Sequence, residues 1–183
     1  MYNFTKLFCI IFALIFLIVS CKNNDEEIAP KNIITYNGIE YELANGFLRY
    51  YGQFSKDEGH TQVLFLYSPG ITVHETAGKI DSASGKGHLI AFEIFSAVPE
   101  SLGDGEYTFD FNNTYKEKTF DQGFALLNAD YLTGDGTKYE IIGGKLTVKK
   151  DKDNYVISFD CIESEGKTLT GFYKGPLAYY DER

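Results

Sequence analysis

Two patterns divide the chain. From Leu7 to Val19 it runs LFCIIFALIFLIV without a charge or a proline, and directly after Cys21 the character changes to KNNDEE. From Ile33 onward short apolar runs recur, bounded by Gly, Asn and Asp, and no stretch keeps a 3.6-residue apolar period over about ten residues. That second pattern is one of short strands joined by tight turns.

The strands can be placed in order. Ile33 to Tyr36 and Ile39 to Glu42 flank Asn37-Gly38, which suits both central positions of a type I′ turn, so this is a hairpin. Gly46 to Phe54 and Thr61 to Ser68 form a second hairpin, and Val63-Leu64-Phe65-Leu66, apolar on both faces, marks a central strand covered on both sides. Within Pro69 to Gly87, Ile71 to Glu75 is a candidate short strand. The rest, rich in Ser, Gly and Lys, reads as a mobile loop and the best candidate for a functional edge. His88 to Ala97 is a strand with Ile90, Phe92 and Ile94 facing in. Glu106 to Phe111, Phe120 to Tyr131 (bulged at Gly123), Lys138 to Ile142 and Lys145 to Lys150 follow, with Gly143-Gly144 marking a bulge or bend. Asn154 to Glu163, reached through a tight turn at Asp151-Lys152-Asp153, then Lys167 to Lys174 and Pro176 to Asp181, complete the series.

About ten strands with short connections imply an all-β domain from 33 to 183, an antiparallel β-sandwich or, as the alternative, a closed lipocalin-like β-barrel. The doubly apolar strands favour two packed sheets. Phe65, Phe92, Ile157, Phe159 and Cys161 are expected inside. Aromatic residues make up 16% of the sequence, all Tyr and Phe, which suits strands.

The amino-terminal segment has its own meaning. A short head carrying Lys6, an apolar run and the small Ser20 before Cys21 describe a secretory signal peptide over 1–20, too short for an ordinary membrane span of about 20 apolar residues. Ile18-Val19-Ser20-Cys21 resembles a bacterial lipobox, which implies a lipoprotein signal peptide and acylation of Cys21. Two or three acyl chains hold firmly, at roughly 0.8 kcal/mol per buried methylene. Residues 21–32 are then an acylated cysteine and flexible tether, and Lys22-Asn23-Asn24-Asp25-Glu26-Glu27 looks like the acidic export tether of Bacteroidetes-type surface lipoproteins. The carboxy-terminal half is similar to the closing meander of uncharacterised lipoproteins of that kind: a Gly-x-Leu-x-Val strand, a Tyr-x-Ile-x-Phe strand, Glu165-Gly166-Lys167 and Gly-x-Tyr-x-Gly. The resemblance implies an outer-membrane, lipid-anchored protein on the outer face and carries no activity with it.

Charge and cysteine use narrow the chemistry. A net charge of −9 disfavours nucleic acid, whose binding needs clustered Lys and Arg. With Cys9 in the signal peptide and Cys21 in the anchor, Cys161 is the one remaining thiol, so no intrachain disulfide is expected. Cys161 sits on an apolar alternating face, as a buried structural thiol does. His60, His74 and His88 could form a zinc site if their loops converged, but their spacing matches no ligand motif. The Asp/Gly clusters at 104–106, 134–136 and 151–154 read as turns, since no EF-hand spacing is present. No catalytic motif stands out, and neither a metal nor an organic cofactor is expected. Two function classes compete: a non-catalytic module binding glycan, peptide or partner protein, and a hydrolase without a recognisable motif. A barrel-type carrier of a small apolar ligand is a third alternative. Candidate ligand contacts are the 69–87 segment and its surroundings: Tyr50, Tyr51, Tyr67, His74, Lys86 and His88.

Overall fold

The computed structural model describes residues 30–183, so the apolar run, Cys21 and nearly all of the tether lie outside the described residues. Within them every regular element is a strand: β1 (Ile33–Tyr36), β2 (Ile39–Glu42), β3 (Asn45–Gly52), β4 (His60–Tyr67), β5 (Ile71–Thr76), β6 (Lys79–Ser96), β7 (Gly105–Phe109), β8 (Thr119–Asp130), β9 (Asp135–Asp151), β10 (Asn154–Glu163), β11 (Thr168–Gly175) and β12 (Ala178–Asp181). The local signals that mark the turns are the ones that make them. Asn37 and Gly38 take φ of 51° and 75°, as a type I′ turn requires. Lys152, at φ 58°, turns β9 into β10, where Asn154 opposes Asp151.

The strands join in the order β12-β3-β4-β6-β8-β7-β9-β10-β11-β1-β2, with β5 paired to β6 and β8 also meeting β9. The path is open at β12 and β2, and the sheet curls into a half-barrel. Its two walls meet across the interior, where the Phe92 ring of β6 lies 5.6 Å from that of Phe159 on β10. Tyr107, Tyr173, Phe92 and Phe120 are among the fully buried side chains filling the space between. Pairing is antiparallel except at β12–β3 and β7–β8, which are parallel. Cys161 is fully buried, and burial pushes its thiol up to about 12, which leaves it protonated and unreactive.

Several sequence expectations need correcting. The 69–87 segment is not a loop: β5 and the first half of β6 form an antiparallel hairpin, and β6 continues without interruption into the main sheet. Phe65 does not join the main core, because Leu64 and Leu66 take the inner face and Phe65 the outer one, where it is half-buried. The bulge expected at Gly123 falls at Asp121. Gln122 opposes Glu93 and Phe120 opposes Ile94, leaving Asp121 without a partner, while Gly123 stays in register against Phe92. At the glycine pair the expected irregularity is present: the register shifts between Ile162 and Glu163, and Gly144 has φ +116°.

Candidate functional site: a cavity under a hairpin strap

Alternation along β3 and β4 sends Leu48, Leu64 and Leu66 inward and leaves Phe47, Phe65 and Tyr67 on the outer face. Phe47 stacks on Phe65 with centroids 4.7 Å apart and planes at 23°. Tyr67 lies 5.9 Å and Tyr180 5.8 Å from the Phe47 ring, the latter edge-on. Leu89 and Ala91 of β6 extend this apolar surface toward Phe124 and Leu126 of β8.

Across this floor lies the β5–β6 hairpin, a strap whose Ile71, Val73, Ile80 and Ala83 form a roof. The space between roof and floor is about 190 Å³. The strap is fastened at both ends. At its tip Tyr180 donates its hydroxyl to Glu75, and Lys79 Nζ stands 3.7 Å from Glu182 Oε2, whose Oε1 receives Arg49 Nε at 2.8 Å. Burial, then the bond and charge of Glu75, push the Tyr180 phenol up to about 12, so it remains a donor. At the base Lys86 N donates to Gly70 O at 3.0 Å and Tyr131 N to Gly85 O at 3.0 Å. Two glycines make this crossing possible. Gly85 has φ +93°, and a Cβ on it would lie 2.2 Å from Gly70 O; a Cβ on Gly87 would lie 1.9 Å from Ser68 Oγ.

Of the residues proposed from sequence, Tyr67 lines this cavity. Tyr51 is half-buried farther along β3, with the Arg49 guanidinium 5.6 Å from its ring. Tyr50 is only 3% exposed and shares the face of Leu48, its hydroxyl 3.0 Å from His60 Nδ1. His74 is exposed on the strap, 2.7 Å from Ser84 Oγ. Lys86 and His88 border a separate open depression with Asp130 and Asp135. There Lys86 Nζ pairs with Asp130 at 2.6 Å, and His88 Nδ1 accepts from Asn128 N at 3.0 Å. Burial lowers the His88 pKa, so the imidazole is neutral at pH 7 and able to accept. The three histidines thus have separate partners, and among the described residues no group of three His, Cys, Asp or Glu side chains could hold a metal.

The cavity walls pass unmarked in the sequence reading because Phe47, Phe65, Ile71 and Val73 look like ordinary core positions. Only the pairing of Ile71 and Val73 at alternate positions signals that the 69–87 segment has an apolar side. Chemically the walls offer aromatic and aliphatic surface, with Arg49, Asp81 and Ser82 at the polar margin. The Thr76 and Ser82 hydroxyls donate to Asp81 and hold its carboxyl below its usual range. Ser82 and Asp81 make a hydroxyl–carboxylate pair at this margin, and the bonds that hold Asp81 below its usual range make it a weak base toward that hydroxyl. Comparison of the chain with family models, with curated proteins and with solved structures finds no match in any of the three.

Proposed function

We propose that the domain is a non-catalytic binding module, anchored to the outer membrane through lipid on Cys21, that captures one apolar side chain of a peptide or partner protein beneath the strap. The observation that carries this is the cavity between the strap and the aromatic floor. Its volume of about 190 Å³ sits below the roughly 300–1,000 Å³ of pockets for drug-sized ligands. It is slightly above the roughly 150 Å³ of an engineered cavity that takes benzene. One ring or branched aliphatic group therefore fits. A sugar would bring hydroxyls that Phe47, Phe65, Ile71, Val73 and Leu89 cannot satisfy, and burying them unpaired is unfavourable. This favours a peptide over a glycan. The curled sheet also reads as closer to a filled two-walled sandwich than to a hollow carrier barrel, because Tyr107, Tyr173, Phe92 and Phe120 occupy its interior.

The cavity is tested with indole and toluene. Saturation-transfer NMR should show both binding in the millimolar range or tighter, with contacts to Phe47 and Tyr67. Val73→Trp should fill the space and weaken binding by about tenfold or more, about 1.4 kcal/mol. Equal binding to a well-folded Val73→Trp protein refutes the site. The anchor is tested separately: Cys21→Ala should abolish lipid labelling and release the protein from the membrane fraction. Protease shaving of intact cells, by reaching the domain, should distinguish the outer face from the periplasmic one.

A further inference from the structure

The outer face that carries the cavity also carries two carboxylates without cations. Glu93 opposes Gln122, and the bulge puts Asp121 beside Gln122 against the same residue. Neither acid enters an ion pair among the described residues. Asp121 is 9% exposed, and its Oδ1 is buried without a hydrogen-bond partner. Burial, then the Asp121 charge, pushes the Glu93 carboxyl above its usual range; burial, with the Asp110 charge, does the same for Asp121 against the lowering effect of its own and the Gln122 amides. Asp110 offers no relief, since its oxygens accept from the Asn112, Thr114 and Tyr115 amides and the Thr114 hydroxyl. Two acids held so close at neutral pH oppose folding rather than support it, and an added cation would relieve both.

We infer that Glu93 and Asp121 form a subsite for an ammonium or guanidinium group, so that the ligand is a basic peptide presenting an apolar side chain and, close by, a Lys or Arg. This rests on the cavity reading above. The spacing fits. Arg49 at the cavity margin opposes Val63, and Val63 opposes Glu93. Two strand spacings at about 4.8 Å make roughly 10 Å. Two residues of an extended peptide cover about 6.6 Å and return the side chain to the same face, and a lysine stem spans the remainder. Tyr51 flanks this path on β3: burial raises its phenol, and the charges of Arg49, Glu182 and Glu93 act on it. The net charge of −9 adds long-range attraction for such a peptide.

The experiment uses acetyl-Gly-Phe-Gly-Lys-Gly-amide and two controls, norleucine for lysine and alanine for phenylalanine, titrated calorimetrically into the purified protein at low salt. The lysine peptide should bind at least tenfold tighter than the norleucine peptide. That gap should close in Glu93→Gln and Asp121→Asn, both of which should melt no lower than the parent protein. Equal affinity for the lysine and norleucine peptides overturns the carboxylate subsite and leaves the cavity standing. A lysine preference that survives both the alanine control and Val73→Trp supports the carboxylates and refutes the cavity. Failure of every peptide to bind refutes both.

Discussion

Phe159→Ala is expected to lower stability by about 3–5 kcal/mol, as truncating a buried Phe does. The ring is 3% exposed and leans on Phe92 across the interior. On its other side it covers Gly171, the residue opposite it in β11. A Cβ on Gly171 would lie 2.1 Å from Phe159 Cζ and 2.5 Å from Ile33 O. The ring therefore fills a hole that the glycine leaves open, and Gly171 has no side chain with which to refill it. Urea unfolding should show a lower midpoint at an unchanged slope. A loss below about 1 kcal/mol would mean that the two walls do not meet as described.

Glu163→Ala should also be severe. Glu163 is fully buried at the end of β10 and accepts from the Glu165 amide at 2.7 Å, the Lys167 amide at 3.1 Å and the Tyr36 hydroxyl at 3.3 Å. It ties the β10–β11 turn to β1. Removing it strands two amides and a phenol, each costing about 1–3 kcal/mol when left unsatisfied, less whatever entering water restores. Burial by itself would raise this carboxyl. The bonds from Glu165, Lys167 and Tyr36, with the Lys167 charge, outweigh burial and hold it below its usual range. With the folded pKa below the unfolded one, the stabilisation is fully present above the unfolded value and is lost as pH falls through the folded value. Below about pH 5 the parent protein should weaken, and Glu163→Gln should show a shallower acid limb. Glu93 and Asp121 run the other way: their raised values favour the folded state at low pH, and that contribution fades as pH rises. A Glu163→Gln profile parallel to that of the parent would contradict the assignment.

Where turn chemistry is local, the fold is legible in the chain. Asn37-Gly38 turns where its residue types say it should, because φ near +50° to +75° is available to Asn and Gly whatever surrounds them, whereas in Asp151-Lys152-Asp153 the flanking acids mark the turn and Lys152 takes the positive φ. The faces of the sheet are less legible. Val63-Leu64-Phe65-Leu66 is apolar on both sides, and period alone cannot say which side meets the core; that depends on the strap, formed by residues downstream. The strap itself is hidden by composition. Its upper face needs only polar residues, its underside needs few apolar ones, and Gly85 and Gly87 read as breaks although their role is close approach of two chain segments. Gly123 misleads in a similar way. It suggests a bulge, but its lack of a side chain makes room for Ala91 O and the Phe92 ring, 3.0 and 3.1 Å from where a Cβ would sit. The cavity inherits these difficulties, since half its wall is strap and the other half is the outer side of doubly apolar strands.

The pairing of β1 with β11, and of β12 with β3, sets the order in which the molecule can assemble. Ile33–Tyr36 waits for Leu169–Phe172, and Phe47–Tyr50 for Ala178–Asp181, so each partnership must close a loop of well over a hundred residues. Loop closure of that length carries its entropy penalty before any contact repays it, and sheets built on such pairings fold over milliseconds to seconds. The local hairpins β1–β2 and β9–β10 can form early, but neither edge of the half-barrel is in place until the last strands arrive. During that interval β3 presents a bare edge lined by Phe47, Arg49 and Tyr51. Premature self-association of the nascent chain should therefore begin at β3, and a polypeptide stopped short of β12 should aggregate through it.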